Sequence, residues 1–275
     1  MAEGSRRLDN ATMATEWREV VSVTEPWRRA SNQAGARGAP VEGEAGGFFV
    51  VCDRWPTRRA YLKPVVRSAA FKRAAREKIA SDLAYDLGVD VPPVLLATRG
   101  DAASNEERFV AVSLVLYPVQ LSWEQVRSVA THFLEKSVDA REQVARAWVF
   151  DTWLDQRDHH DESPHNIILG GSAENDLKFV FLDYAFSLGH LDHWNGHKFE
   201  RCERAQFPAL LRQIAPAEVI MEQVKRIEAL TSGQIKEVVW RIPVSHLPDS
   251  QKEMMCQGLI DRQKRIRGAF EGLKL

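Results

Sequence analysis

Three side chains between Asp161 and Asp183 have the types and spacing that phosphoryl transfer asks for. Asp161 is followed five residues later by Asn166, then by the apolar run Ile167-Ile168-Leu169 and a polar loop. A second apolar run, Phe179-Val180-Phe181-Leu182, ends on Asp183. Transfer from ATP needs one carboxylate to orient the acceptor hydroxyl, and an amide with a second carboxylate to hold magnesium on the phosphates. Short strands flanking the loop would bring all three groups to one edge of a cleft. Asp183 is the sharper site. It ends a buried strand, where an unpaired charge is costly and bound magnesium would neutralise it; a turn-forming aspartate is the alternative.

Lys63 closes the strand-like stretch Ala60-Tyr61-Leu62-Lys63, where its amine would reach nucleotide phosphates if a cleft lies beneath the sheet. An ordinary strand-end lysine is the bland alternative. Glu77 is the only glutamate in the helical stretch from Ser68 to Gly88. A lysine–glutamate pair between strand and helix is how kinases fix the phosphate-binding lysine; the alternative is a surface partner for Arg73 or Ser81 at helical spacing. Gly43, Gly46 and Gly47 precede the strand pair, so their backbone can approach phosphates. No G-x-G-x-x-G is present, however, and a loop explains them equally well. Adenine would rest against Leu114–Tyr117, with Leu116 as a contact.

The histidine-rich loop supports a second chemistry. His159, His160, Asp161 and His165 combine imidazole and carboxylate, a donor set that suits zinc or iron. A metal-dependent phosphohydrolase would use the His159/His160/Asp161 cluster with His132 upstream. Histidines that merely pack the loop explain His159 or His160, but not Asn166 and Asp183 together.

The elements that must position these groups fall into two kinds. Residues 1–14 read as a disordered tail, and the stretch from Ala30 to Gly47 is rich in Gly, Ala and Pro without core periodicity. Strands are expected over 19–24, 47–53, 58–64, 94–98 and 108–118, with a turn through Trp55-Pro56-Thr57. One helix, capped by Ser68, runs to Gly88, a suitable left-handed stop. From Trp123 onward helices dominate: 123–136, 140–154, 207–214, 217–230, 233–240 and 250–273. This predicts an α+β, bilobal, protein-kinase-like architecture: a small β-rich N-lobe at 15–118 and a larger, mostly helical C-lobe at 119–275.

Composition sets the outer limits. The 275 residues are 44% hydrophobic and 27% charged, which suits a globular protein with a proper core. A formal net charge of −1 gives no global field to attract nucleic acid or an acidic membrane. The basic clusters Arg54/Arg58/Arg59 and Lys264/Arg265/Arg267 read as solvated faces. Cys52, Cys202 and Cys256 show neither metal-ligand spacing nor a disulfide framework. No apolar stretch approaches the ~18 residues that span a bilayer, and a reducing cytoplasm is the expected location.

These motifs together resemble the HipA-like kinases, a bacterial branch near the phosphoinositide kinases within the protein-kinase-like fold. The residues that carry the resemblance are AYLKP with REKIASDLAYDLGVDVPPV, WLDQRDHH…HNIIL with FLDYAFSLG, and the C-terminal RIPVSHLP…LIDRQKRI. It implies that Lys63 contacts phosphates, Glu77 holds Lys63, and Asn166 and Asp183 bind Mg2+. ATP would be the donor and a Ser or Thr hydroxyl of a protein the acceptor, with a small-molecule hydroxyl as alternative and an antitoxin-like regulator as partner. The family reads N-x-D-x-H-x-x-N. Counting forward from Phe150 and Leu154 puts the acid at Asp158, with His160 as its histidine and Gln156 in place of the first asparagine. Counting back from Asn166 puts it at Asp161, where the loop also resembles the H-R-D-x-x-x-x-N of protein kinases. Three extra residues prevent both. Asp161 is preferred, because acid and amide must face the same phosphates; Asp158 stays open, as does an inactive nucleotide-binding pseudokinase.

Overall fold

The computed structural model describes residues 15–23, 27–29, 48–63, 70–98, 109–117, 119–162, 164–171, 178–189 and 202–272. The expected tail, the glycines Gly43, Gly46 and Gly47, and the Ser68 cap lie outside them. The first part of the chain builds a six-stranded sheet in the order β1-β5-β6-β4-β3-β2. Its strands are β1 (Ser22–Val23), β2 (Trp27–Arg29), β3 (Phe48–Cys52), β4 (Trp55–Lys63), β5 (Val94–Thr98) and β6 (Phe109–Leu114).

Both faces of this sheet are covered, which is why VLLAT reads as a continuous apolar run. Side chains alternate between faces along each strand. Leu95, Ala97, Val110, Val112, Ala60 and Leu62 pack with Trp17 and Val50 on the outer face. Val94, Leu96 and Ala111 face the other way, onto helix α1 (Ala70–Leu87), through Ala75, Ile79 and Leu83. Lys63 follows Leu62 and therefore projects to the α1 side. Gly88 ends α1 at φ +67°, as its position predicts. The turn before β4 falls at Asp53-Arg54 rather than at Trp55-Pro56-Thr57. Pairing shifts register between Val50 and Cys52, and β4 meets β6 only from Ala60 onward, so the N–H that Pro56 lacks is not required there.

The second part is helical around a three-stranded antiparallel sheet, β7 (Val119–Ser122), β8 (Ile167–Gly171) and β9 (Lys178–Phe181). Strand β7 was not expected; it pairs with β8 from Val119↔Gly171 to Ser122↔Ile168. Helices α2 (Trp123–Lys136) and α3 (Val138–Leu154) follow it. The Ser137 side chain accepts from Ala140 N and starts α3 two residues earlier than its apolar pattern suggests. Between Gln143 and Leu154 every residue of α3 except Arg146 is buried, so this is the central helix of the larger core. Around it lie α4 (Ala209–Ile214), α5 (Ala217–Ala229), α6 (Ser232–Trp240), α7 (Asp249–Gln263) and α8 (Ile266–Phe270). The expected single C-terminal helix breaks at Lys264-Arg265, which lets Phe270 turn inward to Trp148, with ring centroids 5.4 Å apart. No helix among the described residues is long and apolar enough to cross a membrane.

Helix α1 is gripped from two sides. Lys78, wholly buried, donates to Trp17 O at 2.8 Å and to Asp82 at 2.9 Å. Arg241, just after α6, reaches the other oxygen of Asp82 at 2.9 Å, and Gln223 of α5 donates to Leu87 O at 3.2 Å. Breaking one partner of a buried pair leaves an uncompensated charge. Asp82→Ala is therefore expected to lose about 3 kcal/mol or more of unfolding free energy, read by urea denaturation; a loss under about 1 kcal/mol would show that water satisfies Lys78.

Candidate active site

The site is assembled from β4, α1 and the segment after β9. Lys63 Nζ lies 2.5 Å from Glu77 Oε1 and 3.2 Å from Asp183 Oδ1. Glu77 is thus not a surface partner of its own helix: Arg73 stacks over the Phe186 ring at 4.7 Å and Ser81 donates to Pro92 O. The second oxygen of Glu77 accepts from Tyr184 N at 3.2 Å. Burial works to lower the Lys63 pKa, but the two carboxylates outweigh it and hold it above its ordinary value. Burial raises Asp183, and Lys63 reverses that, so Asp183 stays ionised below its usual range. Glu77 takes the opposite course: desolvation, aided by Asp183, pushes it up to about 7 against the pull of Lys63.

Asp183 adopts φ 63°, ψ 68°, a left-handed conformation that Asp tolerates better than most residues. The conformation turns its carboxylate back from β9, where it accepts from Ala185 N at 3.4 Å. Its carbonyl accepts from Gln156 Nε2 at 2.8 Å, so the loop after α3 is tied to the same residue. Asn166 lies beside it, since Leu182 N donates to Asn166 O at 2.8 Å as β8 pairs with β9.

Of the two candidate acids, Asn166 pairs with Asp158: its Nδ2 donates to Asp158 Oδ2 at 2.7 Å and to Asp158 O at 3.2 Å. Asp161 is exposed and accepts from Ala209 N at 3.1 Å, in the first turn of α4. The preference for Asp161 is thus not matched by geometry. The extra residues loop out between Asp158 and the 3-10 turn at Pro164–Asn166, so acid and amide meet across eight residues rather than five. The histidine of this loop is His159, not His160. His159 is wholly buried, donating Nδ1–H to Asp151 Oδ2 at 2.7 Å and Nε2–H to Leu182 O at 2.5 Å. Both of these partners accept, and they outcompete a nearby donor, Gln156 Nε2 at 3.3 Å from the ring Nε2, which favours a ring protonated on both nitrogens. Burial opposes that charge; the Asp151 carboxylate outweighs it and raises the pKa.

The His159/His160/Asp161 cluster does not converge. His160 accepts from Glu162 N, Asp161 serves Ala209, and both nitrogens of His159 are spent. No group of three or more His, Cys, Asp or Glu able to hold a metal occurs among the described residues, and the side chain of His132 lies outside them. Asn166 and Asp183 fit magnesium differently. With Nδ2 given to Asp158, the amide oxygen is left as a donor just before the strand that pairs with the one leading to the ionised Asp183, and both groups offer the hard oxygens that ion takes with phosphates. Gly46 and Gly47 lie outside the described residues. Leu116 packs against the outer-face cluster, the face opposite Lys63, and is not grouped with the lysine. The ring of Tyr117 instead lies on Gly170 of β8, so close that a Cβ there would sit 2.5 Å from it.

Two supporting residues, Asp151 and Tyr184, escaped sequence reasoning. Asp151 sits in the apolar run of α3 with no exposure, and accepts from Tyr184 OH at 2.9 Å as well as from His159. Burial and that carboxylate keep the Tyr184 phenol protonated. A lone acid inside Val-Phe-Asp-Thr-Trp-Leu was the available signal, because a buried charge needs a partner. A base whose pKa rises on folding stabilises fully below its unfolded value, and that contribution is lost as pH climbs through the folded one. In wild type, the His159 contribution should therefore fade from pH 6.5 upward. His159→Asn is expected to flatten the melting-temperature profile above pH 6.5; an unchanged slope would mean the ring is neutral.

No protein-family model matches the sequence, and no curated protein matches it. Among solved structures the fold matches CtkA, described as a proinflammatory kinase of Helicobacter pylori. The TM-score is 0.61 over 93% of this chain and 100% of that one, at 12% sequence identity. At that identity the likeness is one of fold. The chain has a mixed α+β, kinase-like architecture, with a β-rich portion and a larger helical portion.

Proposed function

We propose that the chain is an ATP- and magnesium-dependent kinase of HipA-like type, transferring the terminal phosphoryl group to a hydroxyl, most simply a Ser or Thr of a protein. The observation that carries this reading is the Lys63 ammonium held between Glu77 and Asp183, with the Asp158–Asn166 pair on the adjoining strand edge. In this reading Lys63 binds the phosphates and Glu77 keeps its amine in place. Asn166 and Asp183 hold magnesium, which would neutralise charge on the phosphates. Asp158, oriented by Asn166, accepts the hydrogen bond of the incoming hydroxyl and aims it for in-line attack. His159 fixes the loop that bears Asp158 against the strand end that bears Asp183. The kinase-like fold supports the reaction class; the protein acceptor rests on the sequence resemblance.

A ligand that binds only the folded state raises the melting temperature; at a hundredfold excess over its dissociation constant the gain is about 2.7 kcal/mol. ATP with magnesium is expected to stabilise wild type, and Asp183→Asn to lose the magnesium-dependent part. No shift with either ligand in wild type would sink the proposal. With radiolabelled ATP and casein or the chain itself as acceptor, Asp158→Asn should slow transfer about 100-fold or more. Asp161→Asn should stay within about threefold of wild type. The reverse order would return the acid to Asp161.

A further inference from the structure

The last turn of α3 ends where the reactive loop begins, and its carbonyls are all accounted for. A helix leaves four such groups without intrahelical partners. Asp151 O accepts from Gln156 N at 2.9 Å, and Leu154 O from Leu188 N at 2.7 Å. Of the two between them, Thr152 O meets Asp155 N only at 3.5 Å, and one side chain far along the chain reaches both. Arg262 of α7, with no exposure, donates Nε–H to Trp153 O at 2.7 Å and a second guanidinium N–H to Thr152 O. One turn earlier in α7, Leu259 O accepts from the Trp153 indole at 3.1 Å, so the two helices are cross-tied.

Capping alone does not demand an arginine. A cation near a helix C-terminus is favourable whatever its shape. The Asp155 carboxylate stands 3.8 Å from Arg262, beyond hydrogen-bond range, and burial lowers the Arg262 pKa. What a guanidinium adds is a rigid planar fork that fixes two acceptors in one orientation. The chain leaves that fixed turn through Asp155, at φ 57°. Within the next four residues come Gln156 on Asp183 O, Asp158 on Asn166, and His159 on Asp151 and Leu182 O. A small rotation of the last turn moves all three together.

We infer that Arg262 is a positioning residue for the phosphoryl-transfer site: its fork sets the orientation of the last turn of α3 and thereby aims Asp158 and His159. This rests on the function proposed above, but one of its readouts does not.

The test compares wild type with Arg262→Met and Arg262→Lys at a temperature where each is folded by circular dichroism. The His159 ring should give two exchange-protected N–H resonances in histidine-labelled protein, assigned by their absence in His159→Asn. In Arg262→Met both should shift or vanish, kcat should fall about 30-fold, and KM for ATP should stay within about threefold. Arg262→Lys, with charge but no fork, should recover part of each. A folded Arg262→Met with wild-type ring resonances and wild-type kcat overturns the inference, even if its melting temperature is lower. Equal losses in kcat and ATP affinity overturn it too, as does failure of both variants to fold, since the arginine would then serve the whole body. If wild type transfers no phosphate, the kinase reading has failed, and the ring resonances alone decide the role of Arg262.

Discussion

An ammonium shared by two carboxylates asks much of the chain that carries it. Lys63 comes from the middle of a sheet, Glu77 from a helix laid across it, and Asp183 from the turn that follows a strand of the other sheet. Their mutual attraction is strong at short range in a medium of low dielectric, but only if desolvation has already been met elsewhere. Each group must therefore be delivered by an element that cannot drift. The alternation of β4 delivers the lysine. The left-handed turn at Asp183 delivers the second acid. Between them, Glu77 also accepts from Tyr184 N, so the strand end that bears Asp183 is bonded to the helix it faces.

The grip on α1 follows from the same demand. A helix free to roll by a fraction of a turn would carry Glu77 away from Lys63. Lys78 and Asp82 lie one and five residues beyond Glu77, and their buried charges tie the helix to Trp17 on one side and to Arg241 on the other. Burying such charges is a poor way to gain stability, and apolar side chains of equal volume serve cores better. Their value here is direction: a pair of opposite charges has one good arrangement, whereas apolar contacts tolerate many.

Local pattern carried the parts of the site that are local. Lys63, Glu77, Asn166 and Asp183 each stand at a place marked by strand, helix or apolar run; the first two meet Asp183 directly, and Asn166 is bonded through its backbone to the residue before Asp183. Loop counting failed where a non-local bond intervenes. Asp161 has the spacing to Asn166 that regular loops show, yet its carboxylate is claimed by Ala209, far along the chain. That bond holds the extra residues outward and leaves Asp158 to meet the amide. His159 and His160 are indistinguishable in sequence, and only the buried Asp151 separates them. The strand at Val119–Ser122 was hidden for a similar reason, because Val-Gln-Leu-Ser is too short to declare itself without β8 beside it.

The hydroxyls near Asp183 carry a consequence for control. Kinase-like folds are commonly switched by adding phosphate to the segment that follows the magnesium-binding acid, where new charge finds an arginine and orders the chain. Between Asp183 and Phe207 this sequence contains two hydroxyl side chains, Tyr184 and Ser187, and no threonine. Both are fully buried, and both are already donors, Tyr184 to Asp151 and Ser187 to Tyr184 O. A modifying enzyme would have to open the core under the loop that bears Asp158 to reach either one. The dianion it left behind would have no water to sit in. In this stretch the chain offers such a signal nowhere to be written.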